Sequence, residues 1–156
     1  MSKAVLISIN PEGCDLILRG EKTAEVRKTK PKLETPFKVY IYCTKAPKWL
    51  KIASEKWEQR SGKVVGEFIC GKIWEIAPLS HAPDNFEEMA CLDSDEIVQY
   101  LNKIHGYGWY ISDLKIYDRP RPVRDFTRLR ATKFGYEPVE IQRPPQSWYY
   151  VEDFCE

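Results

Sequence analysis

Lys22, Glu25 and Arg27 set one carboxylate between two cations, just after a glycine. Gly20 lets the chain turn tightly and presents Lys22 at the mouth of the strand that follows. Glu25 and Arg27 are two apart on that strand, so their side chains leave it on the same side. Two chemistries suit such a group. One is a plain ion pair between Glu25 and the neighbouring guanidinium. The other sets Arg27 and Lys22 against a phosphate or a polar base edge, with Glu25 accepting from a nucleobase amine. Spacing alone leaves both open.

Charge and aromatic content widen the set of candidates. The net charge of 156 residues is only +1, which excludes a uniformly basic nucleic-acid coat protein and an acidic solvating tail. The charges are nevertheless unevenly spread. Residues 19–32 hold six basic side chains against Glu21 and Glu25, and residues 119–133 hold six against Asp125. Residues 84–96 hold six acids and no base, a face suited to a protein partner if it is not simply solvated. Two basic runs brought side by side would form a phosphate-binding surface on a neutral protein. Aromatics make up 13% of the chain, and an outward ring beside a cation could stack on a base for ~1–3 kcal/mol. Trp49 and Trp57, at helical spacing, are core residues. Tyr107 and Trp109 flank Gly108, and Trp148-Tyr149-Tyr150 follows a proline pair, so rings from these two places are the candidates.

Other chemistry finds little support. Ser112 and Ser147 lack a G-x-S-x-G context, His81 and His105 neighbour no nucleophile in a known pattern, and there is no Walker loop. His105, beside Gly106 at a helix end, suits a capping role. Five scattered cysteines without a C-x-x-C pair fit neither a disulfide framework nor a zinc site, so no metal or cofactor is expected. With no long apolar run and no signal-peptide layout, the reading is a reduced, cytoplasmic protein.

These residues must be positioned by a series of short elements. Val5, Ile7 and Ile9 alternate with Leu6 and Ser8 as a first strand. Asn10 caps a helix with Pro11 in its first position, Cys14, Ile17 and Leu18 form its stripe, and Gly20 ends it. Residues 22–28 predict a second strand, with Ala24 and Val26 on one face and a polar face of Thr23, Glu25 and Arg27 aimed away from the core. Residues 37–43 predict a third strand, and Pro47 a helix through Trp57. Residues 64–76 read as a long strand bulged or bent at Gly66 and Gly71. Ser94 caps a helix burying Ile97, Val98, Leu101 and Ile104, closed by Gly106. A strand over 109–117 stops before Arg119-Pro-Arg-Pro122, whose prolines exclude regular sheet. Residues 124–140 have no clear pattern, with room for a short helix over 126–134, and 148–151 is the last strand. The mixture points to α+β, a curled sheet or small barrel with short helices, in one domain over residues 1–156.

The octapeptide Gly20-Glu-Lys22-Thr-Ala-Glu25-Val-Arg27 resembles the G-x-K-x-x-E-x-R signature of the ASCH domain, a branch of the PUA-like superfamily. Gly108-Trp-Tyr-Ile-Ser-Asp-Leu-Lys-Ile-Tyr117 resembles a family strand, and Pro144-Pro-Gln-Ser-Trp-Tyr-Tyr-Val151 is similar to the closing segment of phage and bacterial members. The resemblance runs over residues 4–151. It implies a PUA-like mixed β-barrel flanked by short helices, with a cleft into which the signature residues project. It also implies binding of RNA or a modified nucleotide. Relatives include amidohydrolases acting on N4-acylated cytidine, which use a Thr where this chain has Glu25. Others are linked to metal-assisted RNA cleavage, in which Glu25 would serve as ligand or base. The candidate ligand-binding residues are Lys22, Glu25, Arg27, Trp109, Ser112 and Tyr149. Lys28, Arg121, Arg124, Arg128 and Arg130 are the phosphate-binding candidates, and Lys22 and Glu25 the catalytic ones if the protein is an enzyme.

Overall fold

The computed structural model describes residues 2–45, 60–77, 79–102 and 105–154. The chain divides into two compact units, one of Met1–Cys14, Lys38–Phe68 and Leu114–Glu156, the other of Asp15–Phe37 and Ile69–Asp113.

In the first unit, β1 (Lys3–Ile9) and β3 (Phe37–Cys43) form where predicted, are buried on both faces rather than alternately, and run parallel to each other. Antiparallel to β1 lies β10 (Trp148–Glu152), which pairs in turn with β8 (Thr127–Thr132) and β8 with β9 (Gly135–Glu140). With β4 (Lys63–Cys70) and β7 (Ser112–Arg121), these form a seven-stranded sheet in the order β7-β4-β3-β1-β10-β8-β9. A core of Ala4, Leu6, Tyr40, Tyr42, Val64, Phe126, Ile141 and Val151 packs against it. The fold is α+β and mostly sheet. Its described strand order is open, with β7 and β9 at the two ends, so the described strands do not close into the barrel that the resemblance implied.

Two expectations fail in this unit for clear reasons. Regular sheet does not stop before Arg119, because β7 continues through Pro120 to Arg121. As an end strand, β7 can turn a missing N–H away from the ladder. Residues 126–134 are not helical either: they belong to the β8–β9 hairpin, turned at Lys133-Phe134. Most hairpin residues are exposed, so no alternating apolar signal marks them. Gly66 sits inside an unbroken β4, where a Cβ would lie 2.5 Å from the Lys115 carbonyl oxygen. It permits close backbone approach, and the predicted interruption falls at Gly71.

The second unit is built on a three-stranded sheet, β2-β6-β5, of β2 (Ala24–Arg27), β6 (Tyr107–Tyr110) and β5 (Ile73–Glu75). Ala24, Val26, Ile76, Phe86, Ala90, Ile97 and Leu101 form its core. Helix α1 (Pro11–Leu18) leads into this unit, its entry fixed by Asn10 accepting from the Gly13 N–H at 2.7 Å. Gly20 follows with φ +77°, as the turn requires. Helices α2 (Phe86–Ala90) and α3 (Ser94–Leu101) supply Phe86, Ala90, Ile97 and Leu101. The cap of α3 is Asp93 rather than Ser94: its carboxylate accepts from the Glu96 N–H at 2.8 Å, and Glu96 reaches back to the Asp93 N–H. Val98 is exposed, not buried, and the helix ends at Leu101 with Asn102 in the left-handed region, before His105 and Gly106. The helix predicted from Pro47, and Ile104, lie outside the described residues. Among those described, no helix is long and apolar enough to cross a membrane.

Candidate functional site

Strand pairing fixes where the signature residues point. β2 runs antiparallel to β6 with Glu25 opposite Trp109 and Val26 opposite Gly108. Period-two alternation sends Ala24 and Val26 into the unit's core, and Gly108 lets Phe86 pack there, since a Cβ would meet its ring at 2.5 Å. Glu25 and Arg27 leave by the other face. That face is not a solvated one: Lys22, Glu25 and Arg27 are only 6%, 7% and 9% exposed. The carboxylate is divided between the two cations. Arg27 donates to Glu25 Oε2 at 2.6 Å, and Lys22 Nζ lies 3.3 Å from Oε1. Lys22 also donates to the carbonyl oxygen of Ala90, at the end of α2, at 2.5 Å. The plain ion pair of the sequence reading is thus formed, and it is formed in a buried setting.

The other candidates of this unit have definite places. Trp109 is fully buried, edge-on to Phe37 at 6.0 Å, and its indole is a wall of the core rather than an open stacking face. Ser112, half-buried, donates through Oγ to the Ile69 carbonyl at 2.7 Å. Lys28 is exposed, its ammonium 5.1 Å from the centre of the Tyr100 ring. Among the described residues no cluster of three His, Cys, Asp or Glu side chains is placed to hold a metal.

In the first unit, the basic run 119–133 divides. Arg121 lies near Asp125 at 3.8 Å and over the Phe154 ring at 4.5 Å, lining a cavity of about 520 Å³ with Lys38, Glu67 and Tyr117. Arg124 is exposed on the turn Val123–Asp125. Arg128 and Arg130 line a different cavity, of about 740 Å³. Tyr149 is in its wall, with the Arg128 guanidinium over its ring at 4.5 Å. Burial pushes the Tyr149 phenol up to about 12, against the opposing pull of Arg128. Arg143, Gln142 and Gln146 also line it, and the sequence reading singles out none of the three as a site residue. Their only signal is Pro144-Pro145, a rigid turn delivering its neighbours to the start of β10.

No protein-family model matches the chain, and no curated protein does. Solved structures do. Three are crystal structures of ZmASCH from Zymomonas mobilis. A Tyr-to-Phe variant superposes with a TM-score of 0.59 at 18% identity, covering 97% of this chain and 91% of that one. A Ser-to-Ala variant gives 0.56 at 17% identity, over 96% and 88%. The unsubstituted protein gives 0.55 at 18% identity, over 96% and 87%.

Proposed function

The chain has the fold of the ASCH proteins, and from that premise we propose that it is a binding module for RNA or a modified nucleotide. Lys22, Glu25 and Arg27 form its recognition cluster. One observation carries this reading: three charged side chains from one short segment are buried together below 10% exposure. Taking an ion out of water costs several kcal/mol, and apolar residues of similar volume often serve stability as well or better. A buried charged cluster is therefore better accounted for by recognition than by stability. Glu25 supplies acceptor oxygens for a base amine, and the two cations supply donors for a carbonyl or phosphate oxygen. The test is titration against single-stranded RNA at two salt concentrations. Binding should weaken with salt and fall about tenfold or more when Lys22 and Arg27 are both replaced by Ala. Binding that ignores salt, or survives the double substitution in a folded protein, overturns the reading.

A second reading has its own support in the 3.3 Å approach of Lys22 Nζ to the Glu25 carboxylate. A cation and a carboxylate in contact can hold and pass a proton, so an enzyme acting on acylated nucleosides or on RNA would use these two as acid and base. Incubation with a panel of N4-acylated cytidines and with RNA, read by chromatography, separates the two. Turnover that disappears in Glu25→Gln favours the enzyme; no turnover rejects it.

A further inference from the structure

We propose that the cavity of about 740 Å³ beside β8 and the 142–149 segment binds the phosphate of a nucleotide, free or within an RNA strand. The inference rests on the nucleotide reading above for its class of ligand, but it stands on different residues. The walls hold Arg128, Arg130 and Arg143 against a single carboxylate, Glu140. Arg130 is already committed, its Nε 3.0 Å from Glu137 Oε1. Among the described residues no carboxylate pairs with Arg128 or Arg143. The Nε of Arg128 is buried and has no hydrogen-bond partner among them. A charged group left short of an acceptor is costly, and an anion relieves that cost.

The two arginines are tied to one ring. Tyr149 lies under the Arg128 guanidinium at 4.5 Å, a cation–π contact, and donates its hydroxyl to the carbonyl of Arg143 at 2.8 Å. The segment carrying Arg143 is braced from β1. Ser8 donates through Oγ to the Pro145 carbonyl at 2.6 Å, and the Ser8 N–H donates to the Ser147 carbonyl at 2.9 Å. Two guanidinium forks on a braced wall suit the several oxygens of a phosphate, and bracing lowers the ordering cost of binding. The volume falls in the range of about 300–1,000 Å³ of small-molecule sites, far more than a bare anion fills. The amides of Gln142 and Gln146 offer the rest of the ligand donors and acceptors without further charge.

Calorimetric titration of the full chain with inorganic pyrophosphate, adenosine 5′-monophosphate, adenosine and a short oligouridylate tests this. The monophosphate should bind about tenfold or more tightly than adenosine, and Arg128→Gln with Arg143→Gln should remove the difference. Arg143→Gln alone, at an exposed side chain, keeps the test valid if Arg128→Gln perturbs folding. Sensitivity of the monophosphate to the arginines identifies a free nucleotide as the source, and sensitivity of the oligouridylate alone identifies an RNA strand. Nucleotide binding indifferent to both arginines overturns this site and leaves the cluster reading standing. Pyrophosphate binding that needs the arginines, with no preference for the monophosphate or the oligouridylate over adenosine, overturns the nucleotide as this cavity's ligand and leaves the cluster reading standing. Failure of all four probes to bind overturns both.

Discussion

Glu25 and Arg27, two positions apart on β2, meet at 2.6 Å while each is less than a tenth exposed. The second oxygen of the same carboxylate faces Lys22 at 3.3 Å, so one anion is shared by two buried cations. Glu25→Gln preserves shape but removes that shared anion, and breaking a buried pair from one side costs about 3–5 kcal/mol. Urea unfolding should show a loss of about 3 kcal/mol or more for Glu25→Gln. The triple replacement of Lys22, Glu25 and Arg27 by Met should cost less than that single change. A triple variant less stable than Glu25→Gln would mean that the cluster exists to hold the fold.

The α3 cap gives a smaller and more local expectation. Asp93 satisfies the Glu96 N–H at 2.8 Å, whereas Ser94 is already inside the helix. Asp93→Ala should therefore lower stability by about 1 kcal/mol, and Ser94→Ala by only a few tenths. Thermal melts of the two variants decide it, and equal losses would contradict the capping geometry.

What could be read from residues alone follows from burial. β1 and β3 are buried along nearly their whole length, so their apolar content stands out, and α1 buries Cys14 and Ile17 on one stripe between Asn10 and Gly20, which punctuate its two ends. The β8–β9 hairpin buries Leu129 but exposes most of its length, and its strand character comes from pairing that no local pattern announces. Pro120 looked like a break because its tolerance depends on lying in an end strand, a property of the whole sheet. Glu25 and Arg27 read as a polar face aimed away from the core because charged residues seldom lie buried, and contacts such as those of Glu25 with Arg27 and Lys22 make burial tolerable. The Arg128–Tyr149–Arg143 arrangement joins β8 to a proline turn, and nothing in either segment alone foretells it.

Gly66 should be intolerant of any side chain. A Cβ there would stand 2.5 Å from the Lys115 carbonyl oxygen, and backbone cannot swing aside as a flexible side chain would. Gly66→Ala has to push β7 away from β4, at about 1–3 kcal/mol for the overpacking. Hydrogen exchange read residue by residue should show the loss first along β4 and β7, while the β8–β9 hairpin is unchanged. Uniform loss across the sheet, or none, would contradict a local clash.

Alkaline pH should lower stability progressively, and substitution can separate two of the contributions to that decline. Burial pushes the Cys70 thiol up from 9.0 to about 11, opposed by backbone hydrogen bonds at Lys72 and Tyr110. Burial likewise pushes the Tyr149 phenol from 10.0 to about 12, opposed by Arg128. In both cases the folded chain holds the proton more tightly than the unfolded one. Between the two values the native state therefore binds more protons, and stability falls as pH rises. The contribution is fully present below pH 9.0 for Cys70 and 10.0 for Tyr149, and is lost through about 11 and about 12. Urea midpoints measured at successive pH values should decline across this window. Cys70→Ala lowers stability at every pH through its cavity, but it should flatten the earlier part of the decline. Tyr149→Phe keeps the ring beneath Arg128 and should flatten the later part. Slopes indifferent to both substitutions would show that neither group is linked to folding in this range.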